Sequence, residues 1–257
     1  MKVQQISKYI NEKRVLHDVS FSIQPGTLTG LIGRNGSGKT TLLKILADII
    51  RPDTGNIFID ETNLHKYPKL KARTVYMDTD LLYLQSLTTK SVRYMYEQTY
   101  PSFNATQYEE LMQRFSLQEV KRVRHFSKGQ RALFGLILAF AVNPSYILLD
   151  EPMNGLDFFV RKDVIRLMIE NVVNQKTAIF ITSHQLNEIE QVAENFIFLE
   201  DGNISANVNL EEWKYQYKKI KVTFKDPLPK EVKNDTYILN HSGKVYTLLV
   251  HTDKVNQ

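Results

Sequence analysis

The sequence contains no cysteine. Disulfide frameworks, thiolate metal sites and cysteine nucleophiles are therefore excluded. Long apolar runs are absent as well: the longest, residues 132–142, has 11 residues, whereas a membrane-spanning helix needs about 20. Residues 1–16 lack an apolar stretch of signal-peptide length. We therefore expect no membrane span and interpret residues 132–142 as a buried helix.

The sequence also has only a small excess of positive over negative charge. The chain has 257 residues, with 33 Lys and Arg against 28 Asp and Glu, a net charge of +5. So mild an excess does not by itself indicate an anionic partner, and we expect no nucleic acid. The content of 42% hydrophobic and 24% charged residues is typical of a globular protein. The length suits one large domain, or one domain with a small appendage.

Short apolar runs alternate with segments of helical spacing along most of the chain. Apolar runs without a polar face are typical of parallel strands that are buried on both sides. The runs of this kind are 28–32, 146–149, 178–182 and 196–199, and the helical segments are 40–50, 158–175 and 185–193. The alternation predicts an α/β core with a mainly parallel sheet.

Two parts of the chain depart from this alternation. Residues from about 83 to 145 favour helices with no convincing strand between them, which predicts a helical insertion. From residue 211, alternating residues at 220–224 and two apolar runs around a turn at 240–244 predict strands. We therefore predict a main domain at 1–210 and a small β appendage at 211–257.

Residues 33–40, GRNGSGKT, match the pattern G-x-x-x-x-G-K-[ST] of a phosphate-binding loop. Glycines let successive backbone N–H groups turn toward one anion without Cβ clashes. The following helix would add its own free N–H groups. In this pattern Lys39 contacts the β- and γ-phosphates and Thr40 binds Mg²⁺. The order of strand, loop and helix favours this site over an incidental glycine-rich turn.

Two adjacent carboxylates, Asp150 and Glu151, follow the apolar run 146–149. Ligands of open α/β sheets bind at the carboxyl ends of the strands, where these side chains would lie. Asp150 is predicted to hold Mg²⁺ through water, and Glu151 to accept a proton from an attacking water. An apolar run ending in Asp-Glu can also be purely structural, but the phosphate loop favours the functional interpretation.

With further motifs, the chain resembles the ATP-binding subunits of ABC transporters over about residues 1–205. Residues 126–130, FSKGQ, resemble the signature loop of this family. Residues 150–157, DEPMNGLD, resemble its acidic strand end and the D-loop, which contains Asp157. His184, after an apolar run, is similar to the family's switch histidine. The motifs follow the family's order, and a helical insertion before the signature is also a family feature.

The resemblance implies a role for individual residues. Tyr9 would lie against adenine, and His184 would contact the γ-phosphate and act in catalysis with Glu151. The residues expected to bind ATP are Tyr9, Gly33, Arg34, Asn35, Gly36, Ser37, Gly38, Lys39, Thr40 and Thr41. The signature would comprise Ser127, Lys128, Gly129 and Gln130. Ser127 alone could be a plain helix N-cap; in the family, the signature faces the γ-phosphate held by the opposite subunit of a dimer.

One expected residue is missing. The family normally has a Gln after the strand that leads into the helical region, and it contacts Mg²⁺ and the attacking water. Here residues 75–80 read VYMDTD, so Asp78 or Asp80 takes its place. A carboxylate can still bind Mg²⁺, because hard cations prefer oxygen ligands.

These observations predict an α/β phosphate-loop NTPase core with a helical insertion, N-terminal antiparallel strands and a C-terminal β appendage. The resemblance implies an ATP-hydrolysing motor subunit of an ABC transporter, with export as the preferred direction. Its partners would be a separate membrane permease and a second ATPase subunit, at the cytoplasmic face of the membrane. Two alternatives remain: a soluble ABC-type ATPase acting on a cytosolic complex, and a regulatory subunit with little turnover, which the missing Gln suggests.

Overall fold

The computed structural model describes residues 1–184, 189–210, 212, 217–223, 236–243 and 245–251. The chain divides into two compact units, Met1–Asn207 and Val208–Gln257. The strands up to residue 209 are β1 (Lys2–Ile10), β2 (Lys13–Ser22), β3 (Leu28–Ile32), β4 (Thr54–Ile59), β5 (Thr62–Asn63), β6 (Thr74–Asp78), β7 (Tyr146–Asp150), β8 (Ala178–Ser183), β9 (Asn195–Glu200) and β10 (Asn203–Asn209). The α-helices are α1 (Lys39–Leu46), α2 (Thr89–Thr99), α3 (Ala105–Arg114), α4 (Lys128–Ala141) and α5 (Phe158–Gln175).

A six-stranded sheet with the order β10-β9-β3-β8-β7-β6 forms the centre of the first unit. The neighbours from β9 to β6 run parallel, so their carboxyl ends meet at one edge. Strands β7 and β8 are buried along their length except at the terminal Asp150. This burial explains why their sequences show no polar face. The predicted α/β core with a mainly parallel sheet is confirmed.

A second, antiparallel sheet with the order β2-β1-β4-β5 packs against α1 and the central sheet. Its apolar side chains share one core with those of α1, and Phe21 of β2 stacks on Phe180 of β8 with ring centroids 5.5 Å apart. Burial of a side chain of this size contributes about 1.5–3 kcal/mol. The predicted N-terminal antiparallel strands are present.

The segment between β6 and β7 is helical, as predicted, and contains α2, α3 and α4. Residues 132–141 of α4 are all buried, which explains the longest apolar run of the sequence. Gly135 lets α4 approach β6 closely, since a Cβ there would lie 2.9 Å from the side chain of Met77. In the part of the chain that the structure describes, no helix combines the length and the apolarity that crossing a bilayer requires.

Two parts differ from the predicted elements. The predicted helix 185–193 falls partly on residues 185–188, which lie outside the described residues, and residues 189–193 form hydrogen-bonded turns. In the second unit, β11 (Tyr217–Thr223), β12 (Thr236–Ser242) and β13 (Val245–His251) form a sheet with the order β11-β13-β12. Ser242 pairs with Val245, so the connection is shorter than the turn predicted at 240–244. The end of the predicted strand at Phe224 lies outside the described residues.

A buried carboxylate, Asp48, secures the end of α1. Its side chain is only 2% exposed, and its two oxygens contact His65 Nδ1 at 2.5 Å and Lys71 Nζ at 2.6 Å. These partners come from the segment between β5 and β6. Because α1 begins at the phosphate loop, this contact holds the loop's helix against the rest of the unit.

We expect Asp48→Asn to lower the free energy of unfolding at pH 7 by about 1–3 kcal/mol, because two donors lose a charged acceptor. Burial raises the pKa of Asp48, but hydrogen bonds from Lys71 and His65 outweigh it and leave the pKa below its usual 3.8. With a lowered folded-state pKa, the stabilisation is present above the unfolded-state pKa and is lost as the pH falls through the folded-state value.

Urea unfolding of both proteins between pH 7 and pH 2 measures this effect. The advantage of the wild type should shrink below about pH 4. A difference that stays constant down to pH 2 would contradict the assignment of the stabilisation to the Asp48 carboxylate.

Candidate functional site

The predicted motifs meet at the carboxyl edge of the central sheet. Strand β3 leads into the phosphate loop, and β8 leads into His184. Asp78 at the end of β6 pairs in register with Asp150 at the end of β7, and Asp150 pairs with Thr182 of β8. Residues far apart in the sequence therefore lie side by side, because parallel strands end at the same edge.

The phosphate loop depends on two glycines in left-handed backbone conformations. Gly36 has a φ of 83° and Gly38 a φ of 105°, which side chains with a Cβ rarely adopt. A Cβ on Gly38 would also lie 2.9 Å from Leu16 and 3.0 Å from the carbonyl oxygen of Val15. Gly38 is the N-cap of α1, so the free N–H groups of the first helical turn face the loop. The loop thus has the geometry of an anion site.

Lys39 lies inside this loop and is only 6% exposed. Its Nζ donates to the carbonyl oxygens of Gly33 at 2.7 Å and Arg34 at 3.1 Å, and it lies 3.7 Å from Glu151 Oε1. The pocket next to it has a volume of about 200 Å³ and is lined by Val15, Asn35, Gly36, Gly38, Lys39, Thr40, Thr41 and Glu151. The structure therefore joins the loop and the acidic strand end in one site.

Glu151 is oriented by its backbone and by three side chains. Its φ is 48°, and its N–H donates to Thr182 Oγ1 at 2.9 Å. Its Oε2 accepts a hydrogen bond from Asn154 Nδ2 and lies 3.2 Å from His184 Nδ1. Together with Lys39, these contacts place the carboxylate beside the pocket of the phosphate loop.

Asp150 accepts hydrogen bonds from two hydroxyl groups. Thr182 Oγ1 donates to Oδ1 at 2.8 Å, and Tyr76 Oη donates to Oδ2 at 3.5 Å. Burial, then the charges of Asp150 and Asp78, raise the pKa of Tyr76 far above its usual value, so its hydroxyl keeps its proton. Asp78 accepts a hydrogen bond from the backbone N–H of Leu81 at 2.7 Å and so caps the turn after β6.

A larger pocket of about 630 Å³ also borders the loop. It is lined by Lys13, Ile32, Gly33, Arg34, Asn35, Gly36, Ser37, His184, Phe198, Leu199, Glu200 and Asp201. His184 thus faces this pocket while its Nδ1 reaches Glu151. Two pockets therefore border the loop.

Several predicted site residues lie elsewhere. Tyr9 of β1 is 51% exposed, has the guanidinium of Arg14 5.9 Å from its ring centroid, and lines neither pocket. Asp157 is the N-cap of α5 and accepts hydrogen bonds from the N–H groups of Phe159 and Val160. The signature residues 127–130 likewise line neither pocket. Within this chain, the signature does not reach the phosphate loop's pockets.

The signature forms the N-terminus of α4. Ser127 Oγ accepts from the N–H of Gln130, and the Gln130 side chain accepts from the N–H of Ser127, which makes a capping box. A Cβ on Gly129 would lie 2.4 Å from the carbonyl oxygen of Gly155, so the signature and the D-loop segment are in close contact. The capping role of Ser127 is therefore present, and it leaves the exposed helix N-terminus open to a further partner.

Sequence reasoning missed Tyr76, Thr182 and Asn154 as site residues. Asn154 and Tyr76 lie within the recognised segments 150–157 and 75–80 but were given no role there, and Thr182 lies two residues before His184. A polar side chain in an otherwise apolar buried strand was a signal for Thr182, since buried hydroxyls need partners.

Comparisons with known proteins agree with this geometry. The family model described as ABC transporter matches residues 16–154. The ABC transporter ATP-binding protein YtrB of Bacillus subtilis (strain 168) is 38% identical over 251 residues, which cover 97% of this chain and 86% of YtrB. The lipopolysaccharide export system ATP-binding protein LptB of Escherichia coli (strain K12) is 30% identical, covering 80% of this chain and 89% of LptB.

Solved structures lead to the same family. An ATP-binding subunit of an ABC transporter superposes with a TM-score of 0.73 at 27% identity, covering 84% of this chain and 92% of that one. The phosphate loop, the acidic strand end and the histidine meet at one sheet edge, and the family model covers more than half of the chain. The chain therefore belongs to the ABC transporter family, as an ATP-binding protein and an ATPase.

Proposed function

We propose that this protein is the ATP-hydrolysing motor subunit of an ABC transporter, with residues 1–210 as its ATPase domain. The observation that carries the proposal is the cluster of Lys39, Glu151 and His184. Lys39 Nζ lies 3.7 Å from Glu151 Oε1, and His184 Nδ1 lies 3.2 Å from Glu151 Oε2. A phosphate-binding cation, a carboxylate and an imidazole in contact at a sheet edge suit phosphoryl transfer to water.

In the proposed reaction, residues 33–41 bind the phosphates of ATP through backbone N–H groups and the ammonium of Lys39. Glu151 accepts a proton from a water whose oxygen attacks the γ-phosphorus. The bond from that phosphorus to the β–γ bridging oxygen breaks, and its electron pair leaves with ADP. His184 contacts the γ-phosphate and orients Glu151, while Tyr9 is assigned to the adenine.

Thr40 of the phosphate-loop pocket and the carboxylates at the ends of two neighbouring strands are donors of the kind that suits Mg²⁺. Thr40 offers a hydroxyl, and Asp150 and Asp78 offer carboxylates on neighbouring strands in register. Oxygen donors of this kind are those that Mg²⁺ prefers. Thr40 and Asp150, with Asp78 as a further ligand, are therefore proposed to hold the ion, which neutralises phosphate charge when bound.

A second ATPase subunit is proposed to complete the site. The signature residues 127–130 lie at an exposed helix N-terminus that reaches neither pocket of its own chain. A helix N-terminus favours an anion, so a facing subunit could present Ser127, Lys128, Gly129 and Gln130 to the γ-phosphate. Phe158 and Phe159, next to the D-loop residue Asp157, are 63% and 77% exposed, which supports a contact surface there.

The membrane partner is proposed to be a separate permease at the cytoplasmic face of the membrane. The relatives named as transporter ATP-binding proteins support it. Export is proposed as the direction of transport. The tagged protein, purified from detergent-solubilised membranes, should bring down an integral membrane protein of several helices. Recovery with a ribosome or another cytosolic complex instead would overturn the permease. Recovery with an extracytoplasmic solute-binding protein would overturn export.

A further inference from the structure

We propose that Thr182 is a positioning residue for ATP hydrolysis, because its single hydroxyl links the carboxylate assigned to Mg²⁺ with the carboxylate assigned to water. This inference rests on the proposed function of Asp150 and Glu151. Thr182 belongs to none of the motifs on which that function is based.

The hydroxyl of Thr182 both donates and accepts a hydrogen bond. Its Oγ1 donates to Asp150 Oδ1 at 2.8 Å and accepts the backbone N–H of Glu151 at 2.9 Å. The residue is completely buried, with 0% exposure. A buried hydroxyl with both a donor and an acceptor contact has one defined orientation.

The link matters because of the backbone of Glu151. Glu151 has a φ of 48° directly after β7, a conformation in which a residue other than glycine is strained. The hydrogen bond from its N–H to Thr182 stabilises this turn and so aims the carboxylate at Lys39 and the pocket. Without the acceptor, this partly buried N–H would lose its partner, and the turn could relax.

Tyr76 supplies a second, longer contact to the same carboxylate. Its hydroxyl donates to Asp150 Oδ2 at 3.5 Å from the neighbouring strand β6. Asp150 is thus held from both sides, by β6 and by β8. The shorter contact and the link to Glu151 belong to Thr182, which is why we assign the positioning role to it.

The test compares Thr182→Val, which keeps the shape but has no hydroxyl, with Thr182→Ser, which keeps the hydroxyl. We expect Thr182→Val to lower kcat by about tenfold or more with KM for ATP within about threefold of the wild type. Thr182→Ser should retain most of the wild-type kcat. In the nucleotide-free protein, amide hydrogen exchange at Glu151 should become faster in Thr182→Val and stay slow in Thr182→Ser.

Wild-type kcat and unchanged exchange in Thr182→Val would overturn the inference, as would a Thr182→Ser variant that loses as much activity as Thr182→Val. If Thr182→Val does not unfold cooperatively, Thr182→Ala decides by the same criteria. A wild-type protein without ATPase activity would instead overturn the proposed function. Amide hydrogen exchange at Glu151 would still report whether Thr182 accepts the hydrogen bond from its N–H.

Discussion

Glu151→Gln is expected to abolish most of the ATPase activity, lowering kcat by about 10²–10⁴-fold. The amide has nearly the shape of the carboxylate but cannot take a proton from the attacking water. It would keep hydrogen-bonding capacity toward Asn154 and His184, which contact the carboxylate in the wild type. Because Lys39 and the loop glycines are untouched, ATP should still bind.

The activity is measured as phosphate release at saturating Mg-ATP, and ATP binding by fluorescence of a nucleotide analogue. Glu110→Gln, the same change at an exposed position of α3, is the matched control and should leave kcat within about twofold. Unchanged phosphate release by Glu151→Gln would remove Glu151 as the base.

Lys39→Ala is expected to weaken ATP binding by about ten- to a hundredfold, because a charge-assisted contact to the phosphates is lost. The ammonium already lies within hydrogen-bond distance of the loop carbonyls of Gly33 and Arg34. The Lys39 side chain therefore needs no long rearrangement to contact the phosphates of ATP in the loop.

Lys44→Ala provides the control for this variant, since Lys44 lies in the last turn of the same helix and away from the loop. The dissociation constant for ATP should change little in Lys44→Ala. Thermal unfolding of both variants reports whether the helix is intact. An ATP affinity of Lys39→Ala equal to that of the wild type would argue against the phosphate loop as the binding site.

Much of the fold could be predicted because the signals are local. The predicted strands 28–32 and 178–182 are β3 and β8, since strands buried on both faces show no alternation of apolar and polar residues in the sequence. The loop at 33–40 and the capping residue Ser127 were recognised for the same reason, because their geometry depends on neighbouring residues.

The remaining features depend on partners far apart in the chain. Thr182 and Glu151 are 31 positions apart, and Asp48 is 17 and 23 positions from its partners His65 and Lys71. The spacing of apolar and polar residues in the sequence does not indicate such pairs. The position of Asp78 is similar: from the sequence, Asp78 or Asp80 could take the place of the family Gln, and only the structure shows that Asp78 pairs with Asp150 and caps a turn.

A complete ATPase site is proposed to combine the phosphate loop of one subunit with the signature of another. This arrangement can be tested by mixing Lys39→Ala, whose loop should bind ATP poorly, with Ser127→Arg, whose signature is blocked, at an ATP concentration at which neither variant alone is active. In a mixed dimer, the intact loop of Ser127→Arg faces the intact signature of Lys39→Ala, so about a quarter of the wild-type ATPase activity should return. Activity of the mixture that does not exceed the sum of the separate variants would contradict the claim.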